Sequence, residues 1–203
     1  LLFLYYARMF LMVKIQKNQG MTYVEIIVVL GIFSVMSAIV MFNYGEFQAK
    51  VDIKNLASDI ALKIVEAQKS ALSGNLPPGA LSDWKPSYGV HFYPTFGSGS
   101  DNKHFIYFSN LNNDQAYGPD DGLPETISIG KGNYISGIYK CEVGSSCSQI
   151  ASSLSIVFTR PDSSAVFSDI SITGSKYVQI TVQSPRNANA IIKIYPSGRI
   201  QVN

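Results

Sequence analysis

The segment GMTYVEIIVVLGIFSVMSAIV (Gly20–Val40) joins a short polar, basic region to a long apolar one. The apolar run Ile26–Phe42 has 17 residues and no charge, so that a few more residues bring it to the ~20 that span a bilayer as a helix. Lys14 and Lys17 precede it and favour a cytoplasmic location for the first residues. We therefore predict a single membrane-spanning helix over residues 21–43, with the remainder of the chain on the outer side.

A small residue, Gly20, precedes the apolar run instead of following it. A secretory signal peptide is cut after its apolar segment, which is then lost. Cleavage after Gly20 would instead leave the apolar helix on the mature chain as its anchor, with Met21 as the new N-terminus. Residues 1–11, LLFLYYARMFL, fit neither scheme, and we interpret them as upstream sequence or as the start of a longer leader.

Glu25 is an acid within this apolar helix. A carboxylate costs about 2.5–3.5 kcal/mol at the bilayer centre and less near the interface, so it needs a partner. The ammonium of Met21 as N-terminus would be four residues away, about one helical turn, in the same chain or in a neighbouring one. An intermolecular pair would favour lateral packing of several helices. The alternative is a single-pass anchor whose Glu25 reaches the head groups.

Small residues recur on one side of the predicted helix, at Gly31, Ser34 and Ala38, and Gly45 continues the row. Small residues allow membrane helices to approach closely, which predicts a packing face for another helix. The alternative is chance, in a segment that is naturally rich in Gly, Ala and Ser.

This junction resembles the class III prepilin signal of type IV pilins and type II secretion pseudopilins. Gly20 matches the residue before the cut, Met21 the new N-terminus that the prepilin peptidase also N-methylates, and Glu25 the acidic fifth residue of the mature chain. Met21 departs from the usual Phe, and the helix-breaking proline of major pilins is absent, since the first proline is Pro77. The resemblance implies a prepilin leader at residues 1–20. It implies as partners other pilins, the prepilin peptidase and the inner-membrane assembly platform, and no cofactor.

Helical periodicity continues beyond the apolar run, over residues 44–74. Gly74 and the following Pro77-Pro78 are expected to end the helix. The apolar positions of this amphipathic continuation are Val51, Leu56, Ile60, Ile64, Ala67 and Ala71.

After Pro86 the sequence pattern changes to short β-like runs separated by Gly, Asn, Asp, Ser and Pro. The predicted strands are Tyr88–Tyr93, His104–Ser109, Thr126–Ile129, Tyr134–Cys141, Leu154–Thr159, Ala165–Phe167, Tyr177–Gln183, Ala190–Tyr195 and Arg199–Val202. Several alternate between apolar and polar residues, as antiparallel strands with one buried face do. We predict an α+β, pilin-like fold, in which a long N-terminal helix packs on an antiparallel β-rich head at residues 75–203.

Four segments of the predicted head resemble, in order, those of the GspH/FimT group of minor pilins and pseudopilins. They are SYGVHFYP, HFIYFSNLNNDQAYGPDDGLPETISI, LSIVFTRPDSSAVF and IIKIYPSGRIQV. In that group an extended segment precedes an Asp/Asn-rich loop, and the chain closes with a strand–Gly–strand unit. The resemblance covers most of residues 86–203 and rests on pattern.

The charge balance argues against a nucleic-acid partner. The formal charge is +2, but without Arg8, Lys14 and Lys17 only 13 of the 16 basic residues remain, against 14 acidic ones. A near-neutral head lacks the basic surface that phosphate binding needs. Some FimT-like proteins bind DNA through arginines near the C-terminus. Because Arg199 lies near this end, DNA uptake remains an alternative function.

Two cysteines, Cys141 and Cys147, are separated by the turn-like EVGSS. In an exported domain they could pair, and the alternative is two free thiols. The acidic loop at residues 112–125 offers oxygen ligands, but its spacing is not that of an EF-hand, so a solvated turn is favoured and no metal site is predicted. The weak candidate ligands are Asp114, Asp120, Asp121 and Glu125.

No nucleophile motif accompanies the two histidines, His91 and His104, so we do not expect an enzyme. The expected function is that of a minor pilin or pseudopilin subunit, assembled through its N-terminal helix. The alternative is a binding module at a filament tip, for DNA uptake or for recognition of a secreted substrate or surface. Either is expected in the inner membrane by a single pass, with the head in the periplasm or outside the cell, and then in a filament.

Overall fold

The computed structural model describes residues 20–77, 80, 85–93, 101–144, 146–168 and 176–203. They divide into two compact units, the first ending at Tyr44 and the second extending from Gly45 to Asn203. The second unit contains the later half of the single long helix and all ten strands that are described. The predicted leader, apart from Gly20, lies outside the described residues.

Helix α1 extends over Tyr23–Ser73, within the predicted residues 21–74. At its C-terminal end the N–H of Gly74 donates to the carbonyl of Ala71 at 3.2 Å, and the N–H of Asn75 donates to that of Ser70 at 3.4 Å. Gly74 has φ +72°, a left-handed conformation that glycine adopts without a Cβ penalty. The two bonds form a Schellman motif, which is why the helix ends where Gly74 predicted.

The strands form two five-stranded sheets in which all neighbours are antiparallel, in the orders β3-β2-β1-β6-β7 and β10-β9-β8-β4-β5. The strands are β1 (Ser87–Phe92), β2 (His104–Ser109), β3 (Gly122–Ser128), β4 (Tyr134–Glu142), β5 (Ser148–Gln149), β6 (Leu154–Thr159), β7 (Ala165–Phe167), β8 (Lys176–Gln183), β9 (Asn189–Ile194) and β10 (Ile200–Val202). A long N-terminal helix followed by antiparallel sheets is an α+β layout, as predicted.

Two strands at sheet edges differ from the prediction by more than one residue at an end. Strand β3 begins at Gly122, four residues before the predicted start, and includes Pro124. Proline is tolerated there because an edge strand has one side without ladder partners. Strand β5 is a two-residue polar pair, Ser148–Gln149, which has no apolar alternation from which it could be predicted.

The second unit has one main core, to which helix α1 and both sheets contribute. The helix contributes a stripe at alternating spacings of four and three residues, formed by Ile53, Ala57, Ile60, Ile64, Ala67 and Ala71. The predicted stripe is therefore right from Ile60 onward. The prediction that Val51 belongs to the stripe was wrong, since Val51 is 40 % exposed and lies about 200° around the helix from Ile53. Leu56 packs on the core while remaining partly buried.

Polar contacts fix helix α1 against the loops of the sheets. The side-chain amide of Gln68 donates to the carbonyl oxygens of Ser163, at 2.8 Å, and Gly198, at 3.3 Å. Gly198, between β9 and β10, has φ +80°, and a Cβ there would collide with the Ser163 carbonyl and the Gln68 amide. The predicted strand–Gly–strand unit thus requires glycine for both its conformation and its close approach to the helix.

Truncation of the buried stripe should destabilise the second unit. Ile64 has no exposed surface, so Ile64→Ala leaves a cavity and should lower the free energy of unfolding by about 2–5 kcal/mol. Leu62, on the same helix, is 71 % exposed, and Leu62→Ala should change it by less than about 0.5 kcal/mol. Chemical denaturation of the full chain in detergent micelles measures both. Equal effects of the two variants would contradict the described burial.

Candidate functional site

The N-terminal junction is a capped helix start. Thr22 precedes the helix, and its hydroxyl accepts a hydrogen bond from the backbone N–H of Glu25 at 3.4 Å. The residues Thr-Tyr-Val-Glu match the Ser/Thr-x-x-Glu/Gln pattern of a capping box, in which Glu occupies the third helical position. An acid in the first helical turn is also stabilised by the helix dipole. The pattern that gives this second reason for a glutamate at position 25 is present in the sequence but was not predicted from it.

Gly20 and Met21 lie before the helix and are exposed. In the uncut chain Met21 is separated from the helix by Thr22, so its backbone nitrogen is not on the helical turn that contains Glu25. Nothing lies within 4 Å of a Cβ built on Gly20, and its φ is outside the left-handed region. Neither packing nor conformation in the described part of the chain therefore requires glycine at this position.

The first part of α1 presents an apolar surface without cover. The large apolar side chains from Tyr23 to Met41 are each between 42 and 81 % exposed. By length and composition this helix could cross a membrane, and none of its most apolar window is buried. Exposing a side chain of this kind to water costs about 1.5–3 kcal/mol relative to burying it. The segment therefore requires lipid or protein around it.

The small residues Gly31, Ser34 and Ala38 lie on the exposed helix surface. No atom of the described chain lies within 4 Å of a Cβ built on Gly31. Glycine in a helix interior costs roughly 0.5–1 kcal/mol relative to alanine, and no contact of the described residues explains it. Gly45 differs, because a Cβ there would collide with the Arg186 guanidinium, so that it serves packing within the second unit.

Cys141 and Cys147 form a disulfide that closes the turn between β4 and β5. It connects the end of the nine-residue strand β4 to the two-residue edge strand β5. Disulfides persist in oxidising compartments and are rare in the cytosol. The bond is therefore compatible with a second unit that lies outside the cytoplasm.

The acidic loop uses its carboxylates to hold its own backbone. Asp121 accepts hydrogen bonds from the N–H groups of Leu111, at 3.1 Å, and Gly118, at 2.8 Å. Burial raises the pKa of the Asp121 carboxyl, and these two donors oppose that increase. Asp114 accepts from the backbone of Ala116 at 3.0 Å in the same manner.

The other acids of the loop do not complete a metal site. Glu125, on β3, is paired with Lys63 of helix α1 at 3.2 Å. Among the residues that the structure describes, including Asp120, no three His, Cys, Asp or Glu side chains are grouped as metal ligands.

His91 and His104 lie in different environments. His104 is half-exposed and pairs with Asp101 at 2.8 Å. His91 is buried on the outer side of the first sheet, with its Nδ1 at 2.9 Å from the Ser155 hydroxyl. Ser155 also accepts the N–H of Tyr117 at 3.0 Å, which leaves its own proton for Nδ1 of a neutral imidazole.

The His91–Ser155 pair lies between the first sheet and the loop after β2. The ring of Tyr117 lies 5.1 Å from that of His91, so the pair holds the loop after β2 against the sheet. Ser155 is 1 % exposed, and neither residue contacts a carboxylate in the described chain, as a catalytic triad would require. Burial lowers the pKa of His91 from 6.5 to about 4.

Comparison with known proteins finds no match: no family model, no curated protein and no solved structure is similar to this chain.

The depressed pKa of His91 predicts a pH-dependent stability. The unfolded chain binds a proton at His91 near pH 6.5, whereas the folded chain does so only near pH 4, so stability is complete above pH 6.5 and falls on acidification. At pH 4 the contribution of His91 should lower the free energy of unfolding by about 3 kcal/mol relative to neutral pH. Denaturation of the full chain in micelles, repeated at intervals from pH 8 to pH 4, measures it.

Two variants isolate the contribution of His91 from that of the carboxylates. His91→Asn keeps a hydrogen-bond acceptor near the Nδ1 position but does not titrate, so its stability should be lower at neutral pH and fall less on acidification. Leu62→Ala, in an exposed side chain that does not titrate, should retain the wild-type slope between pH 6.5 and pH 4. A slope that is unchanged in His91→Asn would refute the buried, neutral imidazole.

Proposed function

We propose that this chain is a minor pilin or pseudopilin of a type IV filament machine, cut after Gly20 by a prepilin peptidase, methylated at Met21 and assembled through its N-terminal helix. The observation that supports this most strongly is the uncovered apolar surface between Tyr23 and Met41. Only one charge, Glu25, lies within it. A filament in which many such helices pack side by side buries that surface without any further part of the chain.

The glycines support the same proposal from another direction. Packing in the described part of the chain does not require glycine at position 20 or 31, because a Cβ at either would meet no neighbouring element within 4 Å. A peptidase that recognises the residue before the cut accounts for Gly20. Close approach of a neighbouring helix accounts for Gly31, together with Ser34 and Ala38.

Glu25 has two roles in this proposal. In the uncut chain its backbone is capped by Thr22, and its carboxylate is favoured by the positive end of the helix. After cleavage the new ammonium of Met21 would supply a positive partner, either in the same chain or in the next subunit. An ion pair away from bulk water is costly to break by removing one member, so it would fix the axial register of neighbouring subunits.

The layout and the disulfide fit the proposed location. A single-pass helix with its N-terminus in the cytoplasm would put the second unit, with its Cys141–Cys147 bond, on the oxidising side of the inner membrane. From there the subunit would enter the filament. The GspH/FimT-like pattern of segments in the sequence favours a minor rather than a shaft subunit.

Processing tests the first half of the proposal. Co-expression with an active prepilin peptidase should give a chain whose mass corresponds to a start at Met21 with one added methyl group. Gly20→Glu should remain uncut, although the substitution meets no steric obstacle in the described chain. Co-expression with an inactivated peptidase is the control. An intact wild-type leader in the presence of the active enzyme would contradict the assignment.

Assembly tests the second half and separates the charge of Glu25 from its position in the helix cap. Glu25→Gln keeps a residue that suits a capping box but removes the charge, whereas Glu25→Ala removes both. Both should reduce the amount of chain in sheared filaments at least tenfold, with unchanged amounts in the membrane. Glu46→Ala, in an exposed acid of the same helix, should assemble normally. Normal assembly of Glu25→Gln together with failure of Glu25→Ala would assign the residue to capping alone.

A further inference from the structure

The outer face of the second sheet carries aromatic and cationic side chains that the core does not use. Along β8 the residues Val178, Ile180 and Val182 are buried, so that Tyr177 and Gln179 point to the opposite side. Strand β9 alternates in the same way. On this side of the sheet Gln179 and Lys193 are partly exposed, and Cys141 lies beside them, with its sulfur 3.9 Å from the Oε1 of Gln179.

The strand registers bring these outward residues together. Gln179 is the direct partner of Lys193 on one side and of Tyr139 on the other. Lys193 is in turn paired with Gln201 of β10. A second row lies beside the first, because the N–H of Tyr195 donates to the carbonyl of Arg199 at 2.9 Å. We define the tyrosine face by six residues: Tyr139, Tyr177, Gln179, Lys193, Tyr195 and Arg199.

Each cation of the tyrosine face lies over an aromatic ring. The Arg199 guanidinium is 4.0 Å from the ring centroid of Tyr195, and the Lys193 ammonium is 5.4 Å from that of Tyr177. The two tyrosine rings are themselves 5.3 Å apart and tilted by 35°. These contacts hold the two positive charges above the sheet, with less conformational freedom than isolated surface side chains.

Tyr139 offers an aromatic surface without a cation above it. A Cβ on Gly137 would lie 2.7 Å from atoms of the Tyr139 ring, which shows that the ring lies across the glycine. The absence of a side chain at Gly137 thus allows the ring to rest on the sheet. One face of the ring is then turned away from the backbone.

The face is positive because acids are absent from its strands' outward positions. Among the described residues of β4, β5, β8, β9 and β10 the only Asp or Glu is Glu142. Its strand partner is Lys176, which is two residues from the inward-facing Val178 and therefore on the opposite side of the sheet from the tyrosine face. Neither Lys193 nor Arg199 forms a salt bridge with another described residue. The two charges are therefore available to an anionic partner.

We propose that the tyrosine face binds an acidic polysaccharide, a chain of uronic acid residues. Its carboxylates would be met by Arg199, whose planar guanidinium can form two parallel hydrogen bonds, and by Lys193. The hydroxyl groups of the sugar would be met by Gln179 and the tyrosine hydroxyls. The apolar side of one sugar ring would pack on Tyr139, as amphipathic aromatic surfaces allow.

The same features disfavour single-stranded nucleic acid as the partner. Such binding combines many phosphate contacts with bases stacked on exposed aromatic rings. Here only two cations are present, and they lie over the rings of Tyr177 and Tyr195, where bases would stack. A polymer with hydroxyl groups and a single carboxylate per unit uses the amide, phenol and guanidinium groups that remain.

This inference is independent of the proposed assembly role, since it depends on β4, β8, β9 and the residues before β10, and not on residues 20–44. The test uses the full chain in detergent micelles, with polygalacturonate as probe. Neutral dextran controls for charge, and a single-stranded oligonucleotide of equal total charge represents the alternative class of partner. Binding is measured by thermophoresis at several salt concentrations, with circular dichroism of each variant.

Three variants define the site. Replacing both cations, by Lys193→Gln with Arg199→Gln, should weaken polygalacturonate binding at least tenfold. Gln179→Glu places a carboxylate at the centre of the face with almost no change of size, and should weaken polygalacturonate binding to a similar extent. This variant keeps the test informative if the double variant is unstable. Lys140→Gln is the matched control, because Lys140 lies in β4 next to Tyr139 but pairs with the inward-facing Val178. It should bind within twofold of the wild type.

The expected result is binding of polygalacturonate that weakens with salt, with dextran bound at least tenfold more weakly. The inference is overturned if polygalacturonate does not bind, or if dextran binds as tightly as polygalacturonate. It is also overturned if Lys140→Gln loses as much affinity as Gln179→Glu. Tighter binding of the oligonucleotide than of polygalacturonate at the same ionic strength would assign the face to nucleic acid instead. None of these outcomes affects the processing or assembly proposed for residues 20–44.

Discussion

The uncovered apolar surface of helix α1 between Tyr23 and Met41 is the constraint on which the rest of this molecule depends. Its side chains would each cost about 1.5–3 kcal/mol to keep in water, and the described chain provides nothing to bury them. The surface therefore requires lipid or protein around it. A subunit that moves from a membrane into a filament would satisfy the same side chains in both places, because lipid chains and neighbouring helices are both apolar.

The apolar side chains in the later half of the same helix are buried instead of exposed. From Ile53 to Ala71 its apolar stripe is buried in the core formed with both sheets. Three of its six members are alanine, whose small side chain lets the helix lie close to the sheets. Polar contacts then fix its orientation, such as that of Gln68 with the loops at Ser163 and Gly198. The later half of the helix is thus part of the core of the second unit, whereas the described chain leaves the first half uncovered.

Much of the fold could be predicted from the sequence where a local rule decides it. Gly74 ends the helix because only a left-handed residue completes the Schellman motif, and β2, β6 and β7 were predicted to the residue because apolar residues fill them. The failures lie where tertiary contacts decide. Strand β3 is held by its neighbour despite Pro124, and Val51 is apolar but turned away from the core. For the candidate site, the apolar helix and its acid were visible, but the capping role of Thr22 was missed.

The pairing of Lys193 with Gln179 and Tyr139 could not be predicted from the sequence, because strand register, not spacing, creates it. The three residues are 14 and 40 positions apart in the chain, and Tyr139 faces outward only because a bulge between Ile135 and Gly137 shifts the alternation of β4. A shift of one residue would turn Tyr139 inward and Lys140 outward. An interaction surface formed in this way leaves no motif, whereas the N-terminal junction, built within one helical turn, does. The two proposed functions therefore differ in how the sequence records them, although both are carried by residues that the core does not need.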